Sequence, residues 1–227
     1  MSEEDKKTEV LRELEAMMSG MDSAELGQLA SGMLGMLSDR MPIRPERPDL
    51  RQPPRDEVCI YRLRVDLDHA RPPIWRRLDV RSDLTLDVVH EVLQTAFGWT
   101  DTHLHRFALG GSPFDVRSQV FLCPYDVEEE DEDEDGEAAS DVRLDETLQG
   151  PGDRLRYVYD YGDAWELTLR LEEVRPSSDD SAIAVCVGGR RQAPPEDCGG
   201  LTDADQLAEV LDDPSDFAIE EINAALI

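Results

Sequence analysis

The residues able to do chemistry fall into three short stretches. "HLHRF" sets His103 and His105 two positions apart, so on a strand both imidazoles would leave from one side, because side chains alternate with period two. Such a pair can hold a metal or pass a proton. Spacing fixes no carboxylate beside them, and the plainer reading has one supporting the sheet edge and the other solvated. "YDYGDAW" offers Asp160 and Asp163 around a glycine, with Tyr159 and Trp165 at its ends. Two carboxylates can divide acid and base roles where their surroundings differ. Asp and Gly are also what a hairpin turn requires. The turn is the preferred reading, with Trp165 filling the core.

The third stretch is "CVGGRRQAPPEDCGG", residues 186–200. A Cys198 nucleophile would need a positioned base, and none stands at local spacing. Glu196 and Asp197 could cap a following helix or bind a cation. Cys186 and Cys198 alone fall short of the four ligands of a structural zinc site. The stretch therefore reads first as a rigid turn over the sheet, second as a metal clasp and last as a catalytic loop. No metal and no cofactor is predicted.

Charge narrows the partners. The formal net charge is −29, with nine acidic residues among the ten at 128–137. Such a field repels phosphate backbones, since duplex binding depends on cationic neutralisation. Six arginines, among them Arg76 and Arg77, crowd residues 62–81, so a nucleic-acid role would have to act locally through them. No apolar run reaches the roughly 18–20 residues of a membrane span. "MSEEDKKTEV" lacks the layout of an export signal. The expected place is the cytoplasm, with all four cysteines reduced. Phosphate-loop, nucleophile-elbow and zinc-protease motifs are missing.

These stretches need elements to position them. Residues 3–39 carry two apolar stripes at helical spacing and read as a helical pair (1–40), with all seven methionines between Met1 and Met41. A pair so short must dock on something, and self-association is one route. Five prolines between 42 and 54 suggest a semi-rigid linker over 41–56. From residue 57 to 227 the pattern is that of one domain. "VCIYRLRVDLD" and "IWRRLDVRSD" alternate as strands, and "LTLDVVHEVLQTAFGW" is a helix from Thr85 to Gly98. Further strands follow, interrupted near 126–141 by an acidic excursion expected to be disordered. Thr202 and Asp205 have capping spacing ahead of C-terminal helices. The fold class is α+β with a mostly antiparallel sheet. Its first elements follow the order of a β-grasp.

Five phrases together resemble the plasmid pRiA4b ORF-3-like family: "YRLRVDL…RPPIWRRLDV", "VVHEVLQTAFGW", "HLHRF", "YVYDYGDAWEL" and "PPEDCGG". The resemblance runs from Val58 to Leu211. It implies a compact α+β domain, found in plasmid and insertion-element passenger proteins, without an established activity. It also implies, in many relatives, a His and a Cys where this chain has Leu167 and Ala193, so a zinc site possible there lacks both ligands here.

The leading expectation is a non-catalytic interaction module. Its aromatic and Arg-bearing face, with Arg76, Arg77, Trp99, Tyr159 and Trp165, would meet a protein or small ligand. His103, His105, Asp160, Asp163, Glu196 and Asp197 complete the candidate surface. The alternatives are a nucleic-acid accessory linked to mobile elements and a hydrolase using Asp160, Asp163 and His103 or His105.

Overall fold

The computed structural model describes residues 47–128, 136–178 and 181–226. The expected helical pair of residues 3–39 lies outside them, as does the centre of the acidic run. The described parts of that run's surroundings are ordered elements: α2 (Pro124–Glu128), β5 (Glu137–Ala138) and a 3-10 turn at Ala139–Asp141.

Among the described residues, eight strands form one sheet. β1 (Cys59–Leu67) and β2 (Ile74–Arg81) make the first hairpin, and α1 (Leu86–Phe97) follows. Next come β3 (His105–Leu109) and β4 (Gln119–Leu122), then the short helix α3 (Leu144–Thr147). β6 (Arg154–Tyr159), β7 (Trp165–Pro176) and β8 (Ala184–Arg190) complete the sheet; α4 (Ala204–Leu207) and α5 (Ile219–Ala225) end the described chain. The spatial order is β5-β4-β3-β6-β7-β1-β2-β8, antiparallel except for β4 beside β5. In a β-grasp the strand after the helix would join β1. Here β7 takes that place, pairing from Cys59–Pro176 to Leu67–Leu167, and β3 pairs with β4 and β6.

Alternation decides the two faces. Tyr61, Leu63, Val65 and Leu67 of β1 join Leu167, Leu169 and Leu171 of β7 in the core. α1 covers them with Leu86, Val89, Leu93 and Phe97, and stops at Gly98 in the left-handed region (φ 75°), where a glycine is at ease. The opposite face carries interleaved charges. Arg62 pairs with Asp79 at 2.8 Å, Arg64 with Asp66 at 2.7 Å and Arg77 with Glu172 at 2.7 Å. Pairs of this half-exposed kind contribute little stability each. Their consequence is that the arginine charge is spent on the protein's own carboxylates.

Residues 47–56, the described part of the Pro-rich stretch, run along the domain as a strap. The Leu50 amide donates to Gln119 Oε1 (2.7 Å), the Gln52 amide to the Glu146 carbonyl (2.8 Å) and Arg55 Nε to Tyr61 Oη (2.6 Å).

Candidate functional site

Three loops meet at one end of the sheet: residues 98–104 after α1, the 160–164 turn between β6 and β7, and residues 191–200 after β8. Glu196 ties the first to the third. It accepts from the Thr100 amide (3.1 Å), and also from the Thr100 hydroxyl and Tyr159 Oη. Burial pulls its pKa up, yet the hydrogen bonds from Thr100 and Tyr159 outweigh that and hold it below the usual carboxylate value. Tyr159 is pushed up to about 12 by burial and by its carboxylate partner. Asp163 ties the second loop to the third: its Oδ2 accepts from the Gly199 amide at 3.0 Å. Asp160 closes its own turn, Oδ1 accepting from the amides of Gly162 (2.9 Å) and Asp163 (3.2 Å).

Beneath the loops lies an aromatic floor. Trp99 stacks on Phe97 (centroids 5.1 Å) and on Tyr159 (5.2 Å), and its Nε1 donates to the Pro194 carbonyl at 3.0 Å. Trp165 is buried in the core beside it.

Two imidazole clusters sit at this end, and they are separate. His103 precedes β3, so strand alternation does not carry it to the side of His105. Its Nε2 stands 3.3 Å from Asp197 Oδ1 and 3.7 Å from Asp160 Oδ2. That nitrogen is buried and has no hydrogen-bond partner among the described residues. His105 goes inward and stacks on His90 of α1, ring centroids 3.5 Å apart. His90 is held at both nitrogens, by Tyr157 Oη and Asp101 Oδ1, each at 2.8 Å. Burial, then the neighbouring His90, lowers His105 to about 3, so it is neutral at ordinary pH.

Several expected site residues are placed differently. Arg76 is not on a surface. It is 3% exposed, on the core side of β2, donating to the carbonyls of Ala96 (2.7 Å), Trp75 (2.9 Å) and Arg191 (2.9 Å). Phe97 and Phe217 lie 5.0 Å from its guanidinium. Burial lowers it to about 10. The signal was present: period two puts Arg76 with Ile74, Leu78 and Val80. Trp99, Tyr159 and Trp165 are likewise buried, so they support the loops and do not offer a face. Arg77 points the other way, into the ion-pair lattice. Of the groups suited to hydrolysis, His103 and Asp160 come together, Asp163 is engaged by Gly199 and His105 belongs to the other cluster. Burial pushes the thiols of Cys186 and Cys198 up, away from a nucleophilic thiolate. His90 is buried with the apolar side of α1, while its partner Asp101 carries no signal in the sequence. Asp101 has a positive φ of 57° and a backbone amide held by Gln94 Oε1, features visible only once α1 is docked.

Known proteins bear on this arrangement. The family model for plasmid pRiA4b ORF-3-like proteins matches residues 59–226. A curated relative from Sinorhizobium fredii (strain NBRC 101917 / NGR234), the uncharacterized protein y4hQ, is 32% identical over 164 residues, covering 70% of this chain and 76% of its own. A crystal structure of a protein of unknown function, MM3350 from Methanosarcina mazei Go1, matches with a TM-score of 0.59 and 26% identity. It covers 73% of this chain and 97% of that one. The chain is therefore a member of the plasmid pRiA4b ORF-3-like protein family.

Proposed function

We propose that the protein is a non-catalytic binding module that engages a small ligand or a protein partner at the loop end of its sheet, around His103, Asp160 and Asp197. The observation that carries this reading is how the polar groups there are used. Glu196, Asp163 and Tyr159 hold the loops to one another, and among the described residues no activated nucleophile stands beside the imidazole. Efficient acyl or phosphoryl transfer needs a nucleophile within hydrogen-bond reach of its base. Rigid loops over an aromatic floor suit recognition. The Met-rich segment at residues 3–39 is proposed to mediate assembly, with a second copy as its simplest partner.

The nucleic-acid reading gains no support from the arginine strands, since Arg62, Arg64 and Arg77 would have to leave their carboxylates to meet phosphates. No helix among the described residues is long and apolar enough to cross a membrane.

The test has two arms on the full chain. One is a thermal-shift screen against small ligands, repeated on His103→Ala and Glu196→Gln; the expected hits lose their shift in both variants. The other is a hydrolysis screen with ester, phosphoester and peptide substrates, where no turnover above background is expected. Turnover that disappears in Asp160→Asn overturns the reading in favour of a hydrolase. For assembly, light scattering compares the full chain with one beginning at residue 46, which keeps the strap; equal masses would remove the role given to residues 3–39.

A further inference from the structure

We infer that His103, Asp160 and Asp197 form a divalent-cation site, with Zn2+ the best-fitting ion. This rests on the reading of the loop end as the binding surface and names its ligand. Three observations combine. The ligand atoms, one imidazole nitrogen and two carboxylate oxygens, lie within 4.8 Å of one another. Bonds of about 2.0–2.1 Å to a tetrahedral ion set ligand atoms about 3.4 Å apart. The His103–Asp197 and His103–Asp160 separations of 3.3 Å and 3.7 Å bracket that edge.

The second observation is the state of the donors. His103 Nε2 is buried and has no hydrogen-bond partner among the described residues, so the nearby carboxylates do not receive a well-formed bond from it. Asp160, its side chain only 10% exposed, spends Oδ1 on two turn amides and leaves Oδ2 toward the imidazole. An unspent buried nitrogen facing an unspent carboxylate oxygen is costly without an ion or proton between them.

The third is chemistry. A mixed imidazole–carboxylate set suits Zn2+ among common divalent ions. Two carboxylates offset the ion's charge, and the chain's net charge of −29 favours cations over anions. Asp197, 80% exposed, sits at the mouth, leaving room for a water or a ligand group in a remaining position. The neighbouring His90–Asp101–His105 group is a poorer candidate. Its rings are stacked 8° from parallel and His90 already uses both nitrogens, so the two lone pairs do not converge.

The experiment is equilibrium dialysis and calorimetry of Zn2+ on the chelator-stripped full chain, with Mg2+ as the comparison ion. One tight equivalent is expected for Zn2+. His103→Ala and Asp160→Asn should each weaken it on the order of 100-fold, at least as much as losing an outer partner of a metal ligand does. Asp160→Asn keeps an oxygen for the turn amides, so its fold is retained, which circular dichroism checks. Co2+ substitution supplies a second readout: the absorption of a low-coordinate nitrogen–oxygen site should appear in the wild type and vanish in His103→Ala. Zn2+ binding that both variants leave unchanged places the ion elsewhere on the chain and overturns the proposal, as does the absence of any tight equivalent. If Zn2+ does not bind but ligand hits still depend on His103, the cation site fails and the binding reading stands. If Zn2+ binds and switches on turnover, the site stands and the non-catalytic reading fails.

Discussion

His90 and His105 lie face to face, ring centroids 3.5 Å apart and planes 8° from parallel, one from a helix and one from a strand. Two imidazoles in this contact cannot both take a proton cheaply, and burial already disfavours the first. Free imidazole in the unfolded chain titrates near 6.5. The folded value of His105, about 3, lies below it. Between pH 6.5 and about 3 the unfolded state therefore binds the extra proton, and stability present above that window is lost as pH falls through it. His90 runs the same way, its lowering by burial opposed in part by Asp101. Urea unfolding from pH 7 to 4 should show His105→Asn losing less stability than the wild type over that range, by an amount on the order of 1–3 kcal/mol. Parallel acid limbs in the two proteins would show that His105 does not govern the decline.

Adjacent arginines should respond unequally. Arg76→Ala strips donors from the buried Ala96 carbonyl and the part-buried Arg191 carbonyl and leaves a space between Phe97 and Phe217. A cost of about 3 kcal/mol or more is expected. Arg77→Ala breaks a half-exposed pair with Glu172 and should cost less than about 1 kcal/mol. Denaturant midpoints of the two variants decide it; equal losses would mean that β2 does not present them to opposite faces.

The tie through Glu196 should be visible as local opening. Glu196→Ala leaves the Thr100 amide without its acceptor and Tyr159 Oη without the group it donates to, though the Thr102 amide still donates to that oxygen. Hydrogen exchange at residues 99–102 and 196–200 should quicken while the amides of β1 and β7 stay protected, for a loss of about 1 kcal/mol. Unchanged exchange in both loops would show that other contacts hold them.

Gly200 should resist replacement. A Cβ there would lie 2.8 Å from the Asp163 carbonyl oxygen, with φ at +71°. Gly200→Ala is expected to cost about 1–3 kcal/mol and to weaken any ligand held at His103, because it displaces the loop carrying Asp197. Gly150→Ala, with open space around its Cβ, is the control that should leave both unchanged.

Much of the fold was legible from residues alone. Period two marked β1 and β2, and the stripe of Leu86, Val89, Leu93 and Phe97 with Gly98 beyond it marked α1. Capping was less exact: Asp203, one residue past Thr202, is the cap of α4, accepting from the Asp205 amide at 3.0 Å. Local signals reach only a few residues, so they specify an element well and its edge less well.

Local patterns were enough for the alternation of the first strands, the helix after the first hairpin and the surplus of negative charge, which can be read without knowing which segments meet. The enclosure of Arg76, the stacking of His105 on His90 while His103 turns to Asp160 and Asp197, and the pairing of β3 with β6 and not β1 emerge in the folded chain alone. Each depends on segments remote in the chain being brought together by burial of one sheet face. Pairing at that distance is set by the whole core's packing, which no local pattern contains.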